Sequence, residues 1–385
     1  MDKITQGAVT ELLESNATPA ATIYMPLELG SAPPHITENQ IRLKNLVHTA
    51  TEELKSRGDT SKLANELAAM LDSSYDNLEF WKDNGRALLI CAAPGIVRVF
   101  QLPLASEEYV AVDDMFHLAP VLALLGDARE FYVLTLAQQN PKLFKGDMYG
   151  LIEVGAGLPK SLREGLGIDE TNQKSENQGS ATGTSMRTGW FNGRGGSRDP
   201  MDNDRLKFFH MVDGLILEKA DRTVPLLLAG IDSEVAEFRD LSRYPKLMKE
   251  VIPGNQTETP AAELFEKAQP IVGSELIQPD HDAAREEYER LSGANPERVA
   301  GDKDSILAAA EQGRIDKLLA GFSRHTTDTV TDKVASVLRI SFPEGDMSRT
   351  LNKLAATVWR MSGRVINLLP HEMPDGAPMV ARLRY

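Results

Sequence analysis

The chain has 385 residues, 42% of them hydrophobic and 25% charged, with a formal net charge of −14 and one cysteine. That length exceeds one ordinary core and predicts two or three domains. The acidic balance excludes diffuse, sequence-independent attraction to nucleic acid, and a lone cysteine excludes an internal disulfide, which fits a reducing compartment.

The opening "MDKITQGAVTELLESN" is polar and amphipathic and carries no secretory pattern. The apolar runs "LAPVLALLG" and "VPLLLAGI" fall short of the roughly 18–20 residues that span a bilayer, so a cytoplasmic protein is expected. Along residues 1–128 the pattern is mixed α/β. "ATIYMPLEL" reads as a strand running into Pro33-Pro34. Leu43, Leu46, Val47, Ala50 and Leu54 recur at helical spacing, and "SKLANELAAML" is a second helix. "ALLICAA" and "IVRVFQL" make a hairpin at Pro94-Gly95, with Cys91 expected as a buried, inert thiol.

A second domain is expected over 129–258. "REFYVLTLA", "KLFKGD" and "YGLIEVGAG" read as strands. From about Gly167 to Asp204 regular patterning stops, and a stretch of that length inside a domain marks a functional loop or a disordered linker. "DRLKFFHMVDGLILEKA" then resumes helical periodicity, with Leu206, Phe209, Val212, Leu215 and Ile216 on one side. "TVPLLLAGI" is a buried strand and "DSEVAEFRDLS" a short helix. A third domain is expected over 259–385. "TPAAELFEKAQPIV" opens it with Thr259 as N-cap and Pro260 at the first helical position. "PDHDAAREEYERLSG" and "SILAAAEQGR" follow as helices, and "IDKLLAG", "GRVINLLP" and "MVARLRY" as strands.

Few motifs carry chemistry. His35, His48, His117, His210, His281, His325 and His371 are scattered, and "HEMPD" lacks the second histidine of a zinc-protease helix. No metal, cofactor or catalytic residue is expected. "NGRGGS" has no Gly-Lys-Ser/Thr and no strand leading into it, and no Gly-x-Ser-x-Gly elbow is present. Asp113-Asp114 and Glu286-Glu287 read as solvated surface.

The stretch "RTGWFNGRGGSRDP" (187–200) stands apart. Arg187, Arg194 and Arg198 offer forked contacts to phosphate. Trp190 and Phe191 can stack on unpaired bases for roughly 1–3 kcal/mol each. Gly189, Gly193, Gly195 and Gly196, with Asn192 among them and Ser197 after them, permit close backbone approach to RNA. The same composition also suits an unstructured surface loop.

The order of parts resembles the archaeal and eukaryotic class-one release factor and Pelota superfamily. An α/β domain comes first. A central domain follows, bearing a long Gly-Gly loop that enters a long helix. A last α/β domain contains "ILAAAEQGRIDKLLAG" and ends "GRVINLLPHEMPDGAPMVARLRY". The chain is most similar to the bacterial branch and, within it, to the Balon-type ribosome hibernation factors. The resemblance implies three mixed α/β domains in series, with the loop projecting from the central one. It further implies a first domain facing the decoding centre and messenger RNA, a loop at the peptidyl transferase centre, and a last domain facing elongation factor Tu. The partner is then the 70S ribosome, bound at the vacant A site under stress. Release factors end this loop in Gly-Gly-Gln. Here Gly195 and Gly196 match the glycines and Ser197 takes the glutamine position without an amide, which implies binding without hydrolysis. The alternative is a peptidyl-tRNA hydrolysing rescue factor that positions water with Ser197 or Asn192. A loop of about 37 residues, going out and back, can reach up to roughly 50–60 Å.

Overall fold

A computed structural model describes residues 2–15, 17–28, 33–58, 61–81, 85–167, 200–330 and 333–385. The fold is mixed α/β. It divides into two compact units: Arg129–Ile277, and Met1–Ala128 joined with Gln278–Tyr385.

The first stretch runs β1 (Asp2–Lys3), α1 (Gln6–Glu14), β2 (Ala20–Pro26), α2 (Pro33–Ser56), α3 (Ser61–Tyr75), β3 (Ala87–Ala93), β4 (Ile96–Leu102), β5 (Ala105–Ser106), β6 (Tyr109–Asp113) and α4 (Ala119–Asp127). Its main sheet has the order β1-β4-β3-β2-β6. The α2 face expected from the sequence is buried against Ile23, Met25, Leu88 and Ile90 of that sheet. The β3–β4 hairpin closes with Ala93 opposite Ile96. Gly95 takes the left-handed conformation, φ 83°, that this tight turn requires.

The central unit follows with β7 (Phe131–Thr135), β8 (Lys142–Asp147), β9 (Gly150–Val154), α5 (Leu162–Leu166), α6 (Pro200–Lys219), β10 (Leu226–Gly230), α7 (Asp232–Leu241), β11 (Leu247–Pro253) and α8 (Ala261–Val272). The sheet order is β11-β10-β7-β8-β9. Every residue of β7 and β10 is buried, as strands covered on both faces must be. One face packs on Phe208, Phe209, Val212 and Ile216 of α6 and Phe238 of α7. The other packs on Leu264, Ala268 and Ile271 of α8. The central unit therefore contains α8, which the sequence reading gave to the third domain. The expected cap of that helix is corrected by one position: Pro260 precedes the first helical residue, and the Thr259 hydroxyl donates to Gln256 Oε1 instead (2.8 Å). On α6, Leu206 and Leu215 are only half-buried, and Phe208 is buried in addition to the expected Phe209, Val212 and Ile216.

The last stretch holds α9 (Gln278–Ala294), β12 (Val299–Ala300), α10 (Lys303–Glu311), β13 (Ile315–Ala320), β14 (Ser323–Val330), β15 (Lys333–Ile340), α11 (Asp346–Arg360), β16 (Arg364–Asn367) and β17 (Met379–Leu383). Its sheet order is β12-β17-β13-β16, while β15 joins β14 to β5. This stretch and the first share one unit. A Cβ on Gly126, at the end of α4, would lie 2.9 Å from the Val365 carbonyl oxygen of β16, so glycine lets the helix abut the strand.

Candidate functional site

The predicted RNA-binding residues Arg187, Trp190, Phe191, Asn192, Gly193, Arg194, Gly195, Gly196, Ser197 and Arg198 lie outside the described residues. The structure does describe both ends of the segment that carries them. On the leaving side, α5 starts with Ser161, whose hydroxyl accepts from the Glu164 main-chain N–H at 3.1 Å. It ends at Gly167 in the left-handed conformation, φ 63°. Leu162 N–H donates to the Gln138 carbonyl (2.8 Å) and Asn140 N–H to that of Lys160 (2.7 Å), which pins α5 to the turn after β7. On the returning side, α6 is anchored by its buried phenylalanines. Arg205 adds a two-pronged pair to Glu237 of α7, with Nε at 2.7 Å. A Cβ on Gly165 would stand 3.1 Å from the Phe208 ring, so α5 and α6 touch closely. The described residues on either side of 168–199 thus belong to neighbouring helices of the central unit.

Further along α6, Asp213 is fully buried. It accepts from Ser242 Oγ (2.7 Å), Arg243 N–H (3.2 Å) and Arg243 Nε (3.2 Å). Arg243 and Arg222 line a concavity of about 590 Å³ with Leu217 and Pro245. Arg222 donates to the Leu217 carbonyl at the end of the helix, where a cation complements the helix dipole.

In the other unit, polar side chains that look unremarkable in sequence are brought together. His117 is buried between Asp113, with Nε2 to Oδ2 at 3.2 Å, and Tyr109, with Nδ1 to Oη at 2.8 Å. Tyr109 Oη also meets Ser348 Oγ of α11 at 2.9 Å. One assignment satisfies every group: Ser348 donates to Tyr109, Tyr109 to Nδ1, and Nε2–H to Asp113. The Tyr109 ring stacks on Phe342 at 3.8 Å. Burial pushes the His117 imidazole below its ordinary value, against the opposing pull of Asp113. Burial also raises the Tyr109 phenol. Asp113 is pushed up by burial, but the Asp114 N–H, His117 and Arg349 outweigh that and leave it below its ordinary value. Asp113 is therefore no solvated surface residue, as the sequence suggested; its side chain is 19% exposed and also pairs with Arg349 at 2.9 Å. Glu287 departs from expectation in the same way, since it holds Lys317 (2.7 Å) and Arg382 (3.1 Å).

Beside this network, Asn352 of α11 is buried. Its Oδ1 accepts from the N–H groups of Leu118 (2.8 Å) and Ala119 (3.1 Å), and its Nδ2 donates to the Phe116 carbonyl (2.9 Å). It caps α4, whose own N-cap Leu118 has no side chain for the task. A cavity of about 320 Å³ opens on the His117 network, lined by Glu53, Arg57, Asp346 and Arg349 among others. Its acids and bases nearly balance, so it favours no charged ligand of one sign. Cys91 is buried, and burial drives its thiol well up, which makes it inert. Among the described residues Glu28, His35 and Glu38 bring donor atoms within 4.8 Å of one another. Glu28 is already balanced by Arg42 at 3.4 Å. Among the described residues no helix is long and apolar enough to cross a membrane.

Residues 130–314, somewhat under half of the chain, match the family described as bacterial archaeo-eukaryotic release factor family 3. Over that stretch the chain is similar to the bacterial branch of the superfamily that its sequence resembles, and the match singles out no particular member. No curated protein matches the chain. Among solved structures, an archaeal translation termination factor is 15% identical over 100% of this chain and 99% of its own, with a TM-score of 0.24. Archaeoglobus fulgidus Pelota is 14% identical over 77% of this chain and 79% of its own, with a TM-score of 0.34. An archaeal Pelota, described as ribosome-bound together with a second protein, is 16% identical over 78% and 72%, with a TM-score of 0.39. Scores this low carry no argument about role.

Proposed function

We propose that this chain is a ribosome-binding factor that occupies the vacant A site of the 70S ribosome under stress and blocks it without hydrolysing peptidyl-tRNA. The observation that carries the reading is the match of residues 130–314 to a bacterial release-factor family. Two further features support it. Segment 187–200 is basic and aromatic within a chain of net charge −14, and the helices described on either side of residues 168–199 are neighbours in the matched unit. In this reading Arg187, Arg194 and Arg198 take ribosomal phosphates, while Trp190 and Phe191 stack on bases near the peptidyl transferase centre. Ser197 follows Gly195-Gly196 and has no amide to position water, so the factor blocks and does not cut. Residues 1–128 face the decoding centre and messenger RNA, and the last stretch faces elongation factor Tu.

The test is co-sedimentation with vacant ribosomes across a salt series, paired with a peptide-release assay. Wild type should sediment and release no peptide above background. Changing Arg187, Arg194 and Arg198 to Ala should weaken binding and flatten its salt dependence by about 2 in log–log slope, at roughly 0.7 per phosphate lost. Robust release by wild type would make the protein a rescue factor instead. Failure to sediment at low salt would remove the ribosome reading altogether.

A further inference from the structure

One cluster of ligand-type side chains stands where β2 gives way to α2. Glu28 lies just past the end of β2, and His35 and Glu38 lie in the opening turns of α2. Three positions apart on a helix, His35 and Glu38 share a face. Donor atoms of all three side chains come within 4.8 Å of one another. The backbone that carries them is held on both sides. Leu27, next to Glu28, and Ile36, next to His35, pack on the core between α2 and the first sheet. The buried Asn39, next to Glu38, grips the main chain of Glu28: its Oδ1 accepts from the Glu28 N–H (2.9 Å) and its Nδ2 donates to the Glu28 carbonyl (3.1 Å). Further along α2, Arg42 Nη1 donates to the Pro26 carbonyl (3.2 Å), and Leu27 N–H donates to that of Arg86 (3.2 Å).

The charge and the spacing are those a cation requires. Arg42 Nη2 reaches Glu28 Oε1 at 3.4 Å, but its Nε is committed to Glu108 Oε1 at 2.9 Å. Shared in this way, Arg42 orients the Glu28 carboxylate without cancelling the cluster: Glu28, Glu38 and Glu108 stand against one guanidinium. His35 Nδ1 is shielded from solvent and, among the described residues, has no hydrogen-bond partner. A buried polar atom left without a partner is uncommon and costs free energy. The helix dipole accounts for carboxylates near the start of α2. It does not account for an imidazole set among them with a nitrogen unsatisfied. Among the described residues no ion pair joins His35 to either glutamate, so the three arms surround a gap and do not close on one another. An ion held by bonds of about 2.1 Å spaces tetrahedral ligands about 3.4 Å apart. The exposed arms of Glu28 and Glu38 therefore need to close by at most about 1.4 Å to complete the contact.

We propose that Glu28, His35 and Glu38 form a divalent-metal site that takes Zn²⁺ and clamps the end of β2 to the start of α2. The imidazole selects against Mg²⁺ and Ca²⁺, which take oxygen ligands. The two carboxylates select against soft ions that want thiolate, and the lone Cys91 is buried in β3. Zn²⁺ accepts a mixed set of this kind as three protein ligands, with water in the fourth position. Asn39 and Arg42 are the positioning residues: one fixes the main chain of Glu28 and the other one of its carboxylate oxygens, as outer partners of a metal ligand do. The inference concerns the first stretch of the chain and rests on no part of the ribosome reading.

The probe is the metal alone. Untagged full-length protein, stripped with a chelator, is titrated with Zn²⁺ by calorimetry, and Co²⁺ uptake is followed through its visible ligand-field bands. Wild type should bind one Zn²⁺ per chain, and Co²⁺ should give the intensified bands of a site of low coordination number. Glu38→Gln and His35→Gln should each weaken Zn²⁺ binding at least about tenfold, since loss of an outer partner alone costs about 10–100-fold, and each should bleach the Co²⁺ bands. Glu38 is exposed, so its variant decides the question even where His35→Gln unfolds early. His210→Gln, at an exposed histidine of the central unit, should change nothing. Zn²⁺ should also raise the urea midpoint of wild type and leave that of Glu38→Gln where it was. The absence of stoichiometric Zn²⁺ binding overturns the proposal, as does binding that survives both ligand substitutions or equal affinity for Mg²⁺. Zn²⁺ binding that is lost in His210→Gln and kept in Glu38→Gln places the metal elsewhere and overturns it too. Zn²⁺ binding at this site in a protein that does not sediment with ribosomes keeps the site and sinks the ribosome reading alone.

Discussion

The two units of this chain solve the problem of buried polar groups at very different ranges. In the central unit, Asp213 is satisfied by Arg243, 30 positions away. In the other unit, Asn352 caps α4 through Leu118 across 234 positions, and Ser348 reaches Tyr109 across 239. One unit is an uninterrupted stretch that carries its own partners, and the other is assembled from the two ends of the chain. The contrast has a physical consequence. Closing a longer loop costs only a little more entropy per doubling, so the split unit need not be less stable once formed. It is, however, dependent: half of it leaves main-chain groups at the start of α4 and the apolar sides of α4 and α11 without partners.

The largest expected effect follows. Residues 129–277 expressed alone should fold, with cooperative urea unfolding and near-native circular dichroism, because both faces of their sheet are covered from within. Residues 1–128 alone should not, since α4 loses the Asn352 cap and its contacts with α11 and β16. Independent cooperative folding of 1–128 would break the comparison. The same reasoning means that cutting the chain near residue 259, to remove a self-contained last domain, would remove α8 from the central core and α11 from the other. Partner surfaces in the last stretch are therefore better tested by point variants.

Asn352→Ala should come next. It leaves two N–H groups and one carbonyl buried without partners, at about 1–3 kcal/mol each. A total loss of about 3–5 kcal/mol is expected in the urea unfolding of the full chain. The unfolding of isolated 129–277, which lacks the residue, sets the reference. A loss below about 1 kcal/mol would mean that water replaces the side chain and that the long-range cap is not what ties the two stretches together.

Much of this fold is legible in the sequence, and the illegible part has a definite character. The buried face of α2, the hairpin at Pro94-Gly95, the apolar strands β7 and β10 and the closing strand β17 all announce themselves through local periodicity and turn chemistry. The grouping of the two chain ends does not, because its carriers are polar. Asn352, Ser348 and Asp113 have the composition of surface residues, and nothing within a few positions of them reveals a partner more than two hundred residues away. The strands β14 and β15 and the helix α11 went unread, although Leu351, Leu354, Ala355 and Val358 carry a helical spacing that could have found the last. The candidate RNA residues of segment 187–200 stand out in the sequence by charge and aromatic content but lie outside the described residues, and the structure describes only α5 before and α6 after residues 168–199.

The smallest effect expected is one of pH, and it sharpens the comparison most selectively. The groups facing the His117 ring are Asp113 and Tyr109 at contact, with Ser348 reaching it only through Tyr109 and Arg349 and Arg57 acting through charge. Burial lowers the imidazole below its ordinary value, so the folded state holds it neutral where the unfolded chain has begun to bind a proton. The stabilisation is therefore fully present above the ordinary histidine value of about 6.5 and is lost as pH falls through the lowered one. Protonation would also turn Nδ1 into a donor facing the Tyr109 hydroxyl, which must then give up its own donation to the ring. Asp113 is lowered as well, and its share is lost only further down, below the carboxylate range. Between pH 7.5 and pH 5.5 the urea midpoint of the full chain should fall, and part of that fall should vanish in His117→Gln, whose amide can still bond Tyr109 but does not titrate. Isolated 129–277 contains one histidine, the exposed His210, and should change little over the same interval. If His117→Gln keeps the whole wild-type pH dependence, the network between β6 and α11 is not what acid attacks first, and the sensitivity of the split unit must reside in other groups that join its two stretches.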